Sequence, residues 1–287
     1  MCFVPETPRW LLSKGRLKEC RKVLQKIEPE NTVNDLIGQM EVEIEKDRNS
    51  AVGWRYLMQP WLRTPLMIAV CIMFFQQFVG INTVIYYSPK IFLMAGFEST
   101  LSAIWASVGI GIVNVVFTVI SLYLVDRIGR RKLYFIGLSG IAFSVLCLSA
   151  CFIYANQLGE IGRWLMVIFM FGYVAFFAIS IGPLGWLVIS EIFPQKVRGL
   201  GTSIGSLAVW IFNCIVSFTF FKIIDFFSIP GTEIVVGQTT SENPAGAFFL
   251  YGFIAVLGLV WGYLFLPETK GLSLEEIEQK WRKNREC

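Results

Sequence analysis

Residues Leu66 to Met94 read LMIAVCIMFFQQFVGINTVIYYSPKIFLM. The run is long enough to cross a bilayer, which takes about 20 mostly apolar residues in a helix. Yet Gln76, Gln77, Asn82, Thr83, Tyr86 and Tyr87 fall at mid-span and just beyond, with Gly80 among them and Pro89 after. Polar side chains in hydrocarbon are expensive and need either partners or a task. Gly80 allows the helix to bend or break, and irregular backbone at membrane depth is tolerated where it lines a protein cavity. This stretch therefore predicts an interrupted membrane helix beside a cavity furnished with amides.

Five more apolar runs of spanning length follow, near 104–125, 133–155, 164–189, 200–224 and 246–266. Composition agrees: 55% of residues are hydrophobic and only 16% charged, with a mean hydropathy of +0.59. The bilayer is the expected solvent. Lys and Arg cluster in alternate connections, "DRIGRRK" (Asp126 to Lys132), "SEIFPQKVRG" (Ser190 to Gly199) and the tail from Lys270 to Arg285, whereas the intervening connections hold only Arg163. By the positive-inside rule both termini face the cytoplasm of a multi-pass protein in a plasma or bacterial inner membrane. Basic blocks beside apolar runs suit membrane orientation rather than nucleic acid.

Several function classes drop out. The chain has no histidine, so His metal sites, His general bases and His proton relays are excluded. No nucleophile–base pair or metal-ligand set is recognisable, so neither an enzyme nor a cofactor is expected. The seven cysteines form no CxxC pair and read as small hydrophobes. Residues 1–4 are too short for the apolar core of a secretory signal.

Within residues 1–62, ahead of the spans, Pro8 to about Pro60 is polar and highly charged. Leu17, Cys20, Val23, Leu24 and Ile27 recur at helical spacing before Pro29, and Val33, Leu36, Ile37, Met40 and Ile44 mark a second amphipathic helix. Short cytoplasmic helices packed under the membrane helices are expected; a loosely attached solvated region is the other reading. Residues 63–266 then hold the six spans, and 267–287 a cytoplasmic tail that reads as one charged helix.

An amide offers donors and acceptors without charge, which matches a neutral molecule covered in hydroxyl groups. Asn114, Asn213, Trp186 and Trp210 extend the set in other spans. An indole presents a flat face to the C–H side of a sugar ring and an N–H to its hydroxyls. A sugar or polyol is the substrate these residues suit; amides that merely cross-link helices are the alternative. Gly182, Pro183 and Gly185 interrupt the fourth span just before Trp186, predicting a kink that is either a gate or a static bend. Asp126 with Arg130, and Glu191 with Arg198, are candidate ion pairs at the ends of neighbouring spans.

The motifs "PETPRW" (Pro5 to Trp10), "QQFVGIN…YYSP", "DRIGRRK", "GPLGWLVISEIFPQKVRG" and "PETKG" (Pro267 to Gly271), in this order, resemble the carboxy-terminal half of a sugar porter of the major facilitator superfamily. The resemblance implies an all-α membrane protein, with six transmembrane helices forming one half of a twelve-helix fold. In that family a Pro-Glu-Thr-like motif closes each six-helix bundle, which implies that this chain starts at the end of a sixth span without its amino-terminal partner half. It implies sugar contacts at Gln76, Gln77, Asn82, Asn114, Trp186 and Asn213, with Trp210 lining the cavity. It implies an extracellular gate at Tyr86 and Tyr87, and a cytoplasmic charge network of Glu6, Arg9, Asp126, Arg130, Arg131, Glu191, Arg198 and Glu268. Ala178 stands where facilitative glucose transporters have a glutamate, and Val209 where many members have an amide. The expected activity is transport by alternating access, as uniport or in symport with protons; a sugar sensor and an inactive fragment are the alternatives.

Overall fold

The computed structural model describes residues 6–27, 29–49, 57–97, 99–194, 197–228, 234–236, 239–241 and 243–271. The chain divides into two compact units, Met1–Tyr56 and Leu57–Cys287. The expected tail helix lies outside the described residues.

In the first unit, Pro8 supplies a pre-set φ at the first turn of α1 (Pro8–Ser13), and the Thr7 hydroxyl accepts from the Trp10 N–H at 3.4 Å. Two further helices follow, α2 (Leu17–Leu24) and α3 (Glu30–Asn49). Leu11, Cys20, Leu24, Val33 and Ile37 meet in a small apolar core drawn from all three. Leu17 and Ile27 share the helical spacing but are exposed: Leu17 is the first residue of α2, and Ile27 lies past its end. Cys20 is fully buried and burial pushes its thiol pKa up. A variant keeping Cys20 as its only cysteine is therefore expected to react with a maleimide at neutral pH only after unfolding. Rapid labelling of the native protein would count against this core.

Among its described residues the second unit holds six helical spans long and apolar enough to cross a membrane, Pro60–Met94, Thr100–Ile128, Arg130–Ile153, Ala155–Ile192, Arg198–Phe226 and Ala245–Phe265. The first is built of α4 (Arg63–Phe78) and α5 (Ile81–Met94); the second and third are α6 (Thr100–Ile128) and α7 (Arg130–Ile153). The fourth is α8 (Ala155–Ile179) with α9 (Ile181–Ile192), and the last two are α10 (Arg198–Phe226) and α11 (Ala245–Phe265). Residues 156–163, expected as a connection, are helical within α8, with a break at Gly159 (φ 53°, ψ −127°). The departure from helix among the described residues is one short antiparallel hairpin, β1 (Ile234–Val236) with β2 (Thr239–Ser241), between the last two spans.

Burial separates inner from outer spans: 67% of the apolar window of the first span lies inside the protein, but only 11% of that of the second. The third span packs between the fourth and the sixth. Its Tyr134 hydroxyl donates to the Gly258 carbonyl (3.0 Å), and its Ser149 hydroxyl to the Ala245 carbonyl (2.8 Å). Gly137 permits the close approach to the fourth span, because a Cβ there would collide with the Ser180 side chain.

Candidate functional site

The first, second, fourth and fifth spans line an open cavity of about 410 Å³, a size that suits a small molecule. From the first span it receives Gln76, Gln77, Asn82 and Tyr86, and from the second Asn114. From the fourth come Gly182, Pro183 and Trp186, and from the fifth Trp210 and Asn213. Ala178 and Val209 form part of its apolar wall. No Asp, Glu, Lys or Arg lines it among the described residues. The sequence reading missed Thr118, Ile81 and Phe177, which also line it; Thr118 was within reach, since it follows Asn114 by one helical turn on the same face.

The two tyrosines of the first span part company. Tyr86 faces the cavity, where its hydroxyl accepts from Asn213 Nδ2 at 3.3 Å. Tyr87 instead turns onto the fifth span, stacking on Phe220 with its hydroxyl donating to the Ser217 carbonyl at 3.3 Å. Asn213 Oδ1 accepts from the Ser217 hydroxyl at 3.0 Å. The Asn114 amide has no hydrogen-bonding partner among the described residues. Trp186 and Trp210, both lining the cavity, are 44% and 65% exposed.

Two helix breaks shape the cavity, and each is braced from another span. At the first, Gly80 takes φ +87°, a left-handed conformation open to glycine. The Thr83 N–H then pairs with the Gly80 carbonyl instead of that of Val79. The freed Val79 carbonyl accepts from the Tyr173 hydroxyl of the fourth span at 2.8 Å. At the second, Pro183 has no N–H to offer the Ile179 carbonyl one turn earlier, so the chain breaks at Ser180 (φ −121°, ψ −101°). The Ile179 carbonyl accepts from Ser121 of the second span at 2.7 Å. Gln76 of the first span also reaches this break, its Nε2 donating to the carbonyls of Gly182 (2.7 Å) and Ile181 (3.1 Å). The kink expected at Gly182 and Pro183 thus sits one turn upstream, where the missing donor is felt.

A charge cluster occupies a different place, where α6 and α9 end and α7 begins. Arg130 Nη2 pairs with Glu191 at 2.8 Å, and Nη1 lies 3.6 Å from the exposed Asp126. Glu191 also accepts from the Thr269 hydroxyl. Glu268 accepts from the backbone N–H groups of Arg130 (3.1 Å) and Arg131 (3.2 Å), an anion capping the amino terminus of α7. The guanidinium of Arg131 donates to the Tyr263 carbonyl at 2.7 Å. The expected Glu191–Arg198 pair is not the one formed: Glu191 pairs with Arg130, and Arg198 Nε and Nη2 are buried without a partner among the described residues. Glu6 and Arg9 belong to the first unit.

A family model described as "Sugar (and other) transporter" matches residues 1–281. The D-xylose-proton symporter of Escherichia coli (strain K12) is 34% identical over 278 residues, covering 97% of this chain and 53% of that protein. The glucose transporter GlcP of Staphylococcus epidermidis is 35% identical over 280 residues, covering 98% and 58%. Probable polyol transporter 3 of Arabidopsis thaliana is 33% identical over 297 residues, covering 96% and 55%. The chain spans little more than half the length of these relatives. A solved structure of the major facilitator superfamily proton:xylose symporter XylE, bound to 6-bromo-6-deoxy-D-glucose, superposes with a TM-score of 0.72 at 33% identity. The match covers 97% of this chain and 55% of that one. A family match that runs through nearly the whole sequence, on a six-span bundle of this architecture, makes the chain a member of the sugar (and other) transporter family of the major facilitator superfamily.

Proposed function

We propose that this chain is the carboxy-terminal half of a transporter for a neutral sugar or polyol, working by alternating access with an amino-terminal six-helix half in a lipid bilayer. The observation that carries the reading is the uncharged cavity in which amides from three spans face two exposed indoles. Amides satisfy hydroxyl groups in either direction, and indoles cover the C–H face of a ring. The relatives named for xylose, glucose and polyols support the same substrate class. The basic connections support a cytoplasmic side for the Arg130 end and both termini. Tyr86, hydrogen-bonded across to Asn213, is then the gate residue on the cavity side. A proton-coupled cycle would require its carboxylate from outside this cavity wall.

The test is uptake of radiolabelled D-glucose, D-xylose and myo-inositol into vesicles holding this chain, alone and co-expressed with the amino-terminal half of the Escherichia coli xylose symporter. Saturable uptake is expected only with the partner half. Gln77→Ala and Trp186→Ala are each expected to weaken it about tenfold, the scale of a lost polar or stacking contact. No uptake of any of the three, with both halves inserted, would overturn the reading.

A further inference from the structure

We infer that the broken backbone of the fourth span fixes the donor–acceptor polarity of the cavity's amide row, so that the site demands a donating hydroxyl at Asn82. Gln76 in this scheme is a positioning residue. The argument rests on the sugar-transport reading above and specifies what its site selects.

A backbone carbonyl can only accept a hydrogen bond. Gln76 meets two of them, those of Gly182 at 2.7 Å and Ile181 at 3.1 Å, so its nitrogen must face the fourth span. Turning the amide over would set oxygen against two oxygens at those distances. Gln76 Oε1 therefore faces its neighbour and accepts from Gln77 Nε2 at 3.2 Å. That places Gln77 Oε1 outward, where it accepts from Asn82 Nδ2 at 2.6 Å. Each amide fixes the next, and the row ends on Asn82 Oδ1, an acceptor beside the cavity. Gly185 makes room for the first amide: a Cβ there would stand 3.0 Å from Gln76 Nε2.

Gln76 is 3% exposed and its nitrogen is engaged by the backbone, so it acts on a ligand through Gln77 and Asn82. An acceptor that cannot turn over discriminates between O–H and substituents of similar size that cannot donate. A site built to pair with a hydroxyl rejects the analogue lacking it, because the protein group is left unpaired. One hydroxyl of the substrate should therefore be replaceable by neither hydrogen nor fluorine, whereas a hydroxyl that accepts from an amide N–H tolerates fluorine better.

The experiment measures binding to the two co-expressed halves in nanodiscs, using whichever of labelled D-glucose, D-xylose and myo-inositol binds, competed by its monodeoxy and monofluoro analogues. Wild type is expected to show one ring position where both replacements weaken binding by about tenfold or more. In Gln76→Leu, which leaves Gln77 free to turn over, the hydroxyl-to-fluorine ratio at that position should fall to about twofold, with other positions keeping theirs. Gly185→Ala, which displaces the same amide without removing it, should lower the same ratio and decides the matter should Gln76→Leu fail to fold. Binding with no such position in wild type, or ratios that neither variant changes, or a uniform loss at every position, would overturn the inference while leaving sugar recognition intact. Absence of binding by all three sugars would overturn both.

Discussion

Gly80→Ala is expected to destabilise the bundle by about 2–5 kcal/mol, although it adds a single methyl group. At φ +87° an L-residue is strained by about 1–2 kcal/mol, because its Cβ crowds the following carbonyl. The added carbon would also enter the ring of Tyr251 from the sixth span, lying 2.8 Å from its Cγ and nearer still to Cδ2 and Cε2. Tyr251 cannot withdraw easily: it is 2% exposed and stacks near Phe220, with Phe248 edge-on to it. Overpacking of a filled core costs about 1–3 kcal/mol more. The sum, about 2–5 kcal/mol, is a large part of the roughly 5–15 kcal/mol that holds a typical protein folded. Thermal unfolding in detergent should show a melting temperature lower by many degrees and a poor monodisperse yield. Adding Tyr251→Ala should recover the steric share but not the backbone share. A single-variant melting temperature within about two degrees of wild type would show that the break is soft.

The same break explains what was legible in the sequence. Apolar runs longer than the bilayer needs announce themselves by length alone, so the six spans follow from pattern, though not all of their ends. The cavity residues stand out for the opposite reason, since amides and a Gly or Pro in such runs are costly enough to be noticed. Ser121, Tyr173 and Thr118 were not noticed. A lone hydroxyl in a span ordinarily satisfies itself on its own helix, as Ser107 does on Ala103 at 2.8 Å, and nothing local reveals that Ser121 serves another span. Tyr86 and Tyr87 were expected to act together. Adjacent residues on a helix point about 100° apart, so only one of them can face the cavity, and the phase that chooses Tyr86 is set by packing.

The choice of ion-pair partner was equally hidden, because Glu191 has Arg198 close in sequence but Arg130 close in space. The Pro-Glu-Thr motif near the chain's end acquires a physical role only in three dimensions. Its Glu268 caps α7 through two backbone N–H groups and its Thr269 holds Glu191. Gly129 is part of that arrangement, since a Cβ there would press to 3.0 Å on the Glu268 carboxylate.

Arg130→Ala is expected to destabilise the bundle by about 2–3 kcal/mol, more than any other single change in the charge cluster. Breaking a fully buried pair costs about 3–5 kcal/mol, mostly from stranding the partner's charge. The side chains here are 13% and 20% exposed, so water relieves part of that penalty. Glu191 would keep only the Thr269 hydroxyl. Glu191→Gln should cost less, about 1 kcal/mol, because a neutral amide still accepts from Arg130 and leaves no bare anion. Asp126→Asn should be close to neutral, since that carboxylate is 78% exposed and 3.6 Å away. Arg130→Lys should fall between them: one ammonium cannot meet Glu191 and the Val125 carbonyl together as the guanidinium fork does, at 2.8 and 3.4 Å. Thermal unfolding of the four variants should give this order, and the Arg130→Ala deficit should persist in 1 M salt, where exposed pairs are screened within about 3 Å. An Asp126→Asn deficit as large as that of Arg130→Ala would mean that the exposed contact, not the half-buried one, joins the helices. In the expected order, Arg130 ties the start of the third span to the end of the fourth, with Thr269 bringing in the segment after the sixth. Any motion that separates those three places must first break a pair that water only partly compensates.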